Sequence, residues 1–359
     1  MDRQGESSRT FEQFLETAEW SRFEQYIETS QTVLRAEIQK SVASEREIRA
    51  KLRNRILTKH ADRLIKLDPA AIEAASNVLA TDTVAIDGTR AQVSMLSGIR
   101  GQLGVVAIRY SGDMTSYVTY VTEVTYSDFD PDADIEEVVA KRSKDEFAVS
   151  ELVVRALLAY NERHRALEQP QRWCILQGEL FPFELRSGLG KLKGLGVALD
   201  LFQRMTERKT IGAVVSDTSS PDINYGFALE PLEFFTITNL KTEYDQWLES
   251  GAKFNPDDEE TFRTFNDKYA CHILKAVYRV GQRPFMFYAH EDYIHEFAAL
   301  LAADALHIPE RGFPLLIDYA DSVCASLFRA GDFEKRVNYE LALEGDLLAE
   351  SSERASRAR

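Results

Sequence analysis

From Ser30 to Lys66 the chain runs for 37 residues without a glycine or a proline. Such a stretch lacks the common helix breakers and has no strand-like alternation. Leu34, Ile38, Val42, Ile48, Leu52, Ile56 and Ile65 punctuate it, which predicts one long or broken helix. If continuous, it would reach about 55 Å, the dimension of a protruding arm or a dimer element. Asp68-Pro69 is expected to end it, with a short helix over 70–80. Upstream, Phe11, Phe14, Leu15 and Ala18 predict a short helix over 9–28, where Trp20, Phe23 and Ile27 form a second apolar group on another face.

The same arm concentrates positive charge. Residues 31–66 hold ten basic against four acidic side chains, so they carry +6, and the rest of the 359 residues must carry -21 to give the net -15. Two readings of this arm stand side by side. It is either a contact for DNA phosphates, through Arg49, Arg53 and Arg55, or a solvated face of intermingled charges. The net charge excludes a uniformly basic DNA-coating protein but not a local cationic surface.

Downstream the texture changes. Thr83-Val84-Ala85-Ile86-Asp87 is a short β-branched run ending in Asp-Gly, and strands are expected over 103–110 and 117–126. A helix over 135–168, a strand over 173–176, a helix over 191–207 and a strand over 210–215 follow. Strands are expected again over 231–238 and 284–289. Between them, 240–280 reads as two helices around an acidic solvated turn, Pro256-Asp257-Asp258-Glu259-Glu260. Helices over 291–306 and 313–328 come last. The tail 350–359, mostly Ser, Arg and Glu, is expected to be disordered. Strands in a run, then helix and strand in alternation, imply an α/β fold with a mixed sheet flanked by helices. The expected organisation is an N-terminal helical, basic arm (1–80), an α/β domain (81–330) and a partly disordered C-terminal segment (331–359).

Composition removes several classes. The hydrophobic fraction of 44% supplies a sizeable core. The longest apolar run, Phe297 to Ala303, falls far short of the roughly 20 residues that span a bilayer. Met1-Asp2-Arg3-Gln4-Gly5-Glu6 has no apolar h-region, so no signal peptide is expected. Cys174, Cys271 and Cys324 form no CxxC pair, which points to a reducing cytoplasm. His290 and His295 are five residues apart rather than four, so they do not make a zincin motif.

Carboxylates at element ends are the candidates for chemistry. Asp87 stands first: the strand would hold it rigid, and Gly88 would let substrate or metal come close. The competing reading is a hairpin turn, which the Asp-Gly dipeptide alone favours. Ile175-Leu176-Gln177-Gly178-Glu179 is a second strand end, and it leads through Gly188, Gly190, Lys191 and Lys193 into a helix. Such junctions bind phosphates through backbone N–H groups, which makes Arg90, Lys191 and Lys193 candidate phosphate contacts. The glycine spacing fits neither nucleotide fingerprint, so no nucleotide cofactor is expected. Glu151 and Glu162, eleven residues apart, share one helix face with Arg155; ordinary ion pairs are the competing reading. Asp321 follows Gly312-Phe313-Pro314 on a late helix.

In order, an acid ends the first strand, another lies on the helix after three strands, a third ends the fourth strand and a fourth sits on a late helix. That is the RNase H-like order. Such sites hold Mg²⁺ or Mn²⁺ through oxygen ligands and cut phosphodiesters with metal-activated water. The expected set is Asp87, Glu151, Glu179 and Asp321.

Over roughly 80–330 the chain also resembles the NurA nucleases. The resemblance rests on Val84-Ala85-Ile86-Asp87-Gly88-Thr89-Arg90 (like AVDGS) and Leu176-Gln177-Gly178-Glu179-Leu180 (like LDGSL). Ile211 to Asp217 (like IGVVKD) and Gly312-Phe313-Pro314 through Ala320-Asp321 (like GYP…AH or AD) support it. It implies an RNase H-like fold, Mn²⁺-dependent DNA exonuclease and endonuclease activity, and a homodimer. It also implies partnership with a HerA-type hexameric ATPase in DNA end processing or phage defence. Gln177 stands where the family has Asp, and Glu179 is the substitute. Ser216 replaces the usual Lys before Asp217, while Phe313 and Asp321 stand where many members have Tyr and His. The helix acid matches either Glu151 or Glu162, with Glu151 preferred for its early place in the helix. The alternative function is a catalytically weakened adaptor that binds DNA ends or the ATPase.

If the arm binds DNA, replacing Arg49, Arg53 and Arg55 together is expected to weaken binding across all sequences and reduce its salt dependence. Unchanged affinity over several salt concentrations removes the arm from DNA binding.

Overall fold

The computed structural model describes Gln13, Glu16 and residues 23–95, 98–121, 146–188, 194–216, 220–250 and 256–345. The chain forms two units, Met1–Arg55 and Ile56–Arg359. Residues 56–80, expected in the arm, therefore belong to the second unit.

Helix α1 (Phe23–Lys59) begins in the first unit and is one uninterrupted helix. Every described side chain from Ile38 to Lys51 is exposed, including Ile38, Val42 and Ile48. Glu45 and Glu47 lie four residues before Arg49 and Lys51, at 3.9 and 2.5 Å. These are the spacings that support an exposed helix. The expected helix over 30–66 stops early, because Leu64–Lys66 forms strand β1. Ile65 pairs with Phe234 at the sheet edge, where β-branched and aromatic side chains pack well.

The second unit is built on a nine-stranded sheet of order β1-β7-β8-β9-β6-β5-β2-β3-β4. One half of it comprises β2 (Thr83–Met95), β3 (Gly98–Ile108), β4 (Met114–Val121), β5 (Trp173–Gln177) and β6 (Ile211–Val215), with β4 at the edge. The first three form an antiparallel meander, and β5 and β6 add in parallel beside β2. This is the RNase H-like order expected from the sequence. Antiparallel strands β7 (Glu233–Asn239), β8 (Ile273–Arg279) and β9 (Pro284–His290) extend it.

Helices cover both faces. On one, α2 (Pro69–Asp82), α9 (Ile294–Ala305) and α10 (Leu315–Leu327) bury Ala85, Val106, Ile175, Val214 and Phe287. On the other lie α3 (Glu146–Glu168) and α5 (Leu195–Arg208), where Phe181 stacks on Phe202 at 4.2 Å. Short α4 (Phe183–Arg186) and α6 (Ile223–Phe227), with α7 (Leu240–Glu249) and α8 (Pro256–Lys268), fill the connections. Helix α11 (Ala330–Leu343) places Phe333 against Ala91 and Val93 of β2.

Three expectations change here. Asp87-Gly88 is not a turn: β2 continues through it to Met95, with Asp87 opposite Val106 and Gly88 opposite Val105. The acidic stretch 256–260 is the first turn of α8, where Asp257, Asp258 and Glu259 complement the helix dipole. β8, read as helix, carries a buried Lys275 that interrupts its apolar run. Asp222 at 2.9 Å and Glu243 at 3.0 Å pair that lysine. The expected helix start over 135–145 and the tail 350–359 lie outside the described residues.

Gly212 on β6 lets the Phe297 ring of α9 lie against the sheet, since a Cβ there would sit 2.2 Å from Phe297 Cζ. Gly212→Ala is expected to cost about 1–3 kcal/mol through overpacking, with partial recovery in Gly212→Ala/Phe297→Leu. Guanidinium denaturation checks both; full stability of the single variant contradicts this packing.

Candidate active site

Strand β2 pairs with β5 only from Thr83 to Ile86, because β5 ends at Gln177 and Gly178 turns away with φ 87°. From Asp87 onward, no strand among the described residues lies beside that edge of β2. Successive side chains of a strand face opposite ways. Asp87 turns to α10, near enough to Asp321 to feel its charge, and Gly88 turns to α3. A Cβ on Gly88 would lie 2.4 Å from Glu162 Oε1, so the missing side chain is what admits the Glu162 carboxylate.

Glu162 and Asp321 therefore approach Asp87 from the two faces of the sheet at the open edge of β2. Burial, then the negative charges of Glu162 and Asp321, push the Asp87 carboxyl up to about 8, against the opposing hydrogen bond from the Gly88 N–H. Burial also raises Glu162, opposed by the Arg163 guanidinium. The nearby Cys324 thiol is pushed up to about 12 by burial and then by Asp87 and Glu162, which makes it a poor nucleophile.

Arg163 is 2% exposed and fully engaged. It donates to Glu162 Oε2 at 2.7 Å, to the carbonyls of Ala159 and Leu180 at 3.0 Å each, and to the Glu179 carbonyl. One guanidinium thus holds the helix acid and ties α3 to the loop after β5. On the other side, Asp304 of α9 accepts from Tyr110 and from the Leu316 N–H at 3.0 Å, holding the start of α10.

An open cleft of about 420 Å³ on the α3 side is lined among others by Gly88, Arg90, Arg155, Glu162, Gln177 and Glu179. A mostly apolar cavity of about 480 Å³ between α2 and α9 contains none of the site acids.

Of the four acids expected to act together, Asp321 is brought near enough to Asp87 to raise its pKa. Glu179 lines the cleft and accepts from Arg186 at 3.1 Å. Glu151 pairs with Arg90 at 3.0 Å, and Glu162 rather than Glu151 reaches the Asp87 region. Three helical turns, about 16 Å, separate the two glutamates, and the Gly88 gap lies opposite the later one. Lys191 and Lys193 lie outside the described residues, as does Asp217. Arg163 carried no signal in the sequence, where Glu162-Arg163-His164-Arg165 reads as a solvated charged run.

The donors here are carboxylate oxygens, the set that suits Mg²⁺ or Mn²⁺. Their crowding, which leaves Asp87 holding a proton at neutral pH, is the condition a divalent cation relieves. Among the described residues, no three His, Cys, Asp or Glu side chains are already grouped to hold a metal ion. The acids fit such an ion by chemistry, and their side chains would have to draw together to hold it.

No family model and no curated protein matches the sequence. Among solved structures, the chain is similar to the NurA nuclease from Sulfolobus solfataricus, with 13% identity and a TM-score of 0.49, over 88% of this chain and 98% of that one. It is similar to a NurA bound to dAMP and manganese, with 12% identity and a TM-score of 0.43, over 84% and 93% of the two chains. A third is an Endonuclease_V from Bacillus subtilis, at 10% identity and a TM-score of 0.35, over 81% and 92%.

The raised Asp87 predicts a pH dependence. The folded carboxyl keeps its proton to about pH 8, whereas an unfolded one releases it near pH ~4. Between those values the folded state binds more protons, so metal-free stability falls as pH rises and levels off above the folded value. Asp87→Asn should make that slope shallower, with Glu162 and Asp304 still contributing in the same sense. Melting temperatures in EDTA from pH 5 to 9 check this; an unchanged slope assigns the ionisation elsewhere.

Proposed function

We propose that this chain is a divalent-metal-dependent deoxyribonuclease that hydrolyses phosphodiesters. The observation that supports the reading is the approach of Glu162 and Asp321 to the buried Asp87 at the open edge of β2, in a sheet of RNase H-like strand order. Asp87, Glu162 and Asp321 would hold Mn²⁺ or Mg²⁺, with Glu179 at the rim of the cleft. The bound ion supplies activation of a water and stabilisation of the leaving oxygen.

The protein's own groups have separable roles. Asp87 would give up its proton to become an anionic ligand. Arg163 fixes the Glu162 carboxylate and keeps it from swinging out of the site. Gly88 leaves the room beside Asp87 that the Glu162 carboxylate occupies. The acids repel a phosphate until a cation is present, which makes binding of metal and substrate cooperative.

The motif resemblance extends the proposal to a homodimer working with a HerA-type hexameric ATPase in the cytoplasm, in DNA end processing or phage defence. Among the described residues, no helix is long and apolar enough to cross a membrane. One observation favours the second reading, an adaptor for DNA ends or for the ATPase. Gln177, next in line beside Asp87, offers a neutral amide that hydrogen-bonds Ser216 at 3.3 Å.

Labelled linear DNA incubated with Mn²⁺, Mg²⁺ or EDTA separates the two. The expected result is Mn²⁺-dependent cleavage that falls to the EDTA background in Asp87→Ala and Glu162→Gln. DNA binding without cleavage, alone or with the ATPase, selects the adaptor. Full activity of Asp87→Ala rejects the site.

A further inference from the structure

The α3 wall of the cleft carries charges that the proposed chemistry leaves unused. Counting back from Glu162, Leu158, Arg155 and Glu151 return to nearly the same helix face. Arg155 stands about 10 Å from Glu162 along the axis. Opposite, Arg90 lies three residues beyond Asp87 on β2, on the Gly88 side of the strand. The cleft thus leads from the acids outward between two arginines.

Each arginine is held by one carboxylate through one contact. Arg90 Nη2 meets Glu151 Oε1 at 3.0 Å, and Arg155 Nε meets Glu184 Oε1 at 3.4 Å. Both pairs are partly exposed, with side chains 31% and 37% accessible in the first and 44% and 20% in the second. Pairs of this kind contribute little and exchange easily. Arg90 Nη1 is buried without a hydrogen-bond partner, so the Glu151 contact leaves that guanidinium incompletely satisfied. A phosphodiester offers two oxygens to a guanidinium fork, a better match than one carboxylate oxygen.

We propose that Arg155 and Arg90 form a clamp for a backbone phosphate of the DNA strand flanking the cleavage centre. Glu184 and Glu151 mask the two arginines until the strand displaces them. The clamp rests on the nuclease reading for the identity of its ligand. Because it lies too far from Asp87 to touch the scissile group, it holds a neighbouring nucleotide. The masking acids raise the threshold for binding, since a ligand must offer more than one anionic oxygen to replace them.

The test uses the full chain and a fluorescein-labelled single-stranded DNA 20-mer in EDTA, followed by anisotropy at several salt concentrations. Arg155→Ala should weaken binding about tenfold, the loss of one charge-assisted hydrogen bond. It should also lower the salt slope by about one. Arg155→Lys should keep the slope but lose part of the affinity. Glu184→Gln should tighten binding several-fold, and more than Glu168→Gln, which removes the same charge from an Arg165 pair on α3. The gain should vanish in Arg155→Ala/Glu184→Gln, because its origin is the release of Arg155. Unchanged affinity and slope in Arg155→Ala, or a Glu184→Gln gain that persists without Arg155, overturns the clamp. Cleavage of linear DNA by wild type alongside either result leaves the nuclease reading standing. Binding shifts as expected without Mn²⁺-dependent cleavage reject the nuclease and keep the clamp.

Discussion

An inequality of strand length positions the acids. β2 has 13 residues and β5 has five, and their parallel ladder ends at Ile86 and Leu176. Beyond that point β2 is supported by β3 alone, so its other edge opens at the residue that bears the carboxylate. Gly178 enforces the ending, since its positive φ is inexpensive only without a Cβ. A longer β5 would continue along that edge of β2 and close the cleft. The rigid half of β2 and its open half are thus one strand, with the buried Asp87 at the point where they join.

The second constraint is electrostatic. Burying a carboxylate is costly unless it is paired, and here Asp87 is buried beside two further acids. The counterion within the cluster is Arg163, which pairs Glu162 and gives its remaining donors to backbone carbonyls. Repulsion at Asp87 is therefore relieved by a proton or by a cation, and the two compete for the same oxygens. The opposite face anchors this arrangement. Asp304, pushed up to about 6 by burial, holds the start of α10 and so the helix on which Asp321 rides.

Much of the sheet was legible in the sequence, because alternation and β-branched runs report directly on half-buried strands. The exceptions have physical causes. Lys275 disguised β8 because its charge is neutralised by Asp222 and Glu243, which are distant in sequence. Leu64–Lys66 looked helical because an edge strand of three residues is too short for a period. At the site, Asp87 was legible from its strand and its glycine. The choice between Glu151 and Glu162 was not, since both lie on one helix face. What separates them is which turn lies over Gly88, a matter of tertiary placement. Arg163 was illegible for the same reason: nothing local marks an arginine whose partners are carbonyls on another element.

The three cysteines carry one further consequence, for how this molecule can be observed. Cys174 and Cys324 are buried, with thiols pushed up to about 12. Thiolate, not thiol, reacts with maleimides and iodoacetamides. Cys271 is only partly buried, in the turn that leads into β8. Burial and the charge of Glu291 raise the Cys271 thiol too, so access rather than ionisation makes it the first position for thiol labelling of the native chain, at a point outside the acid cluster.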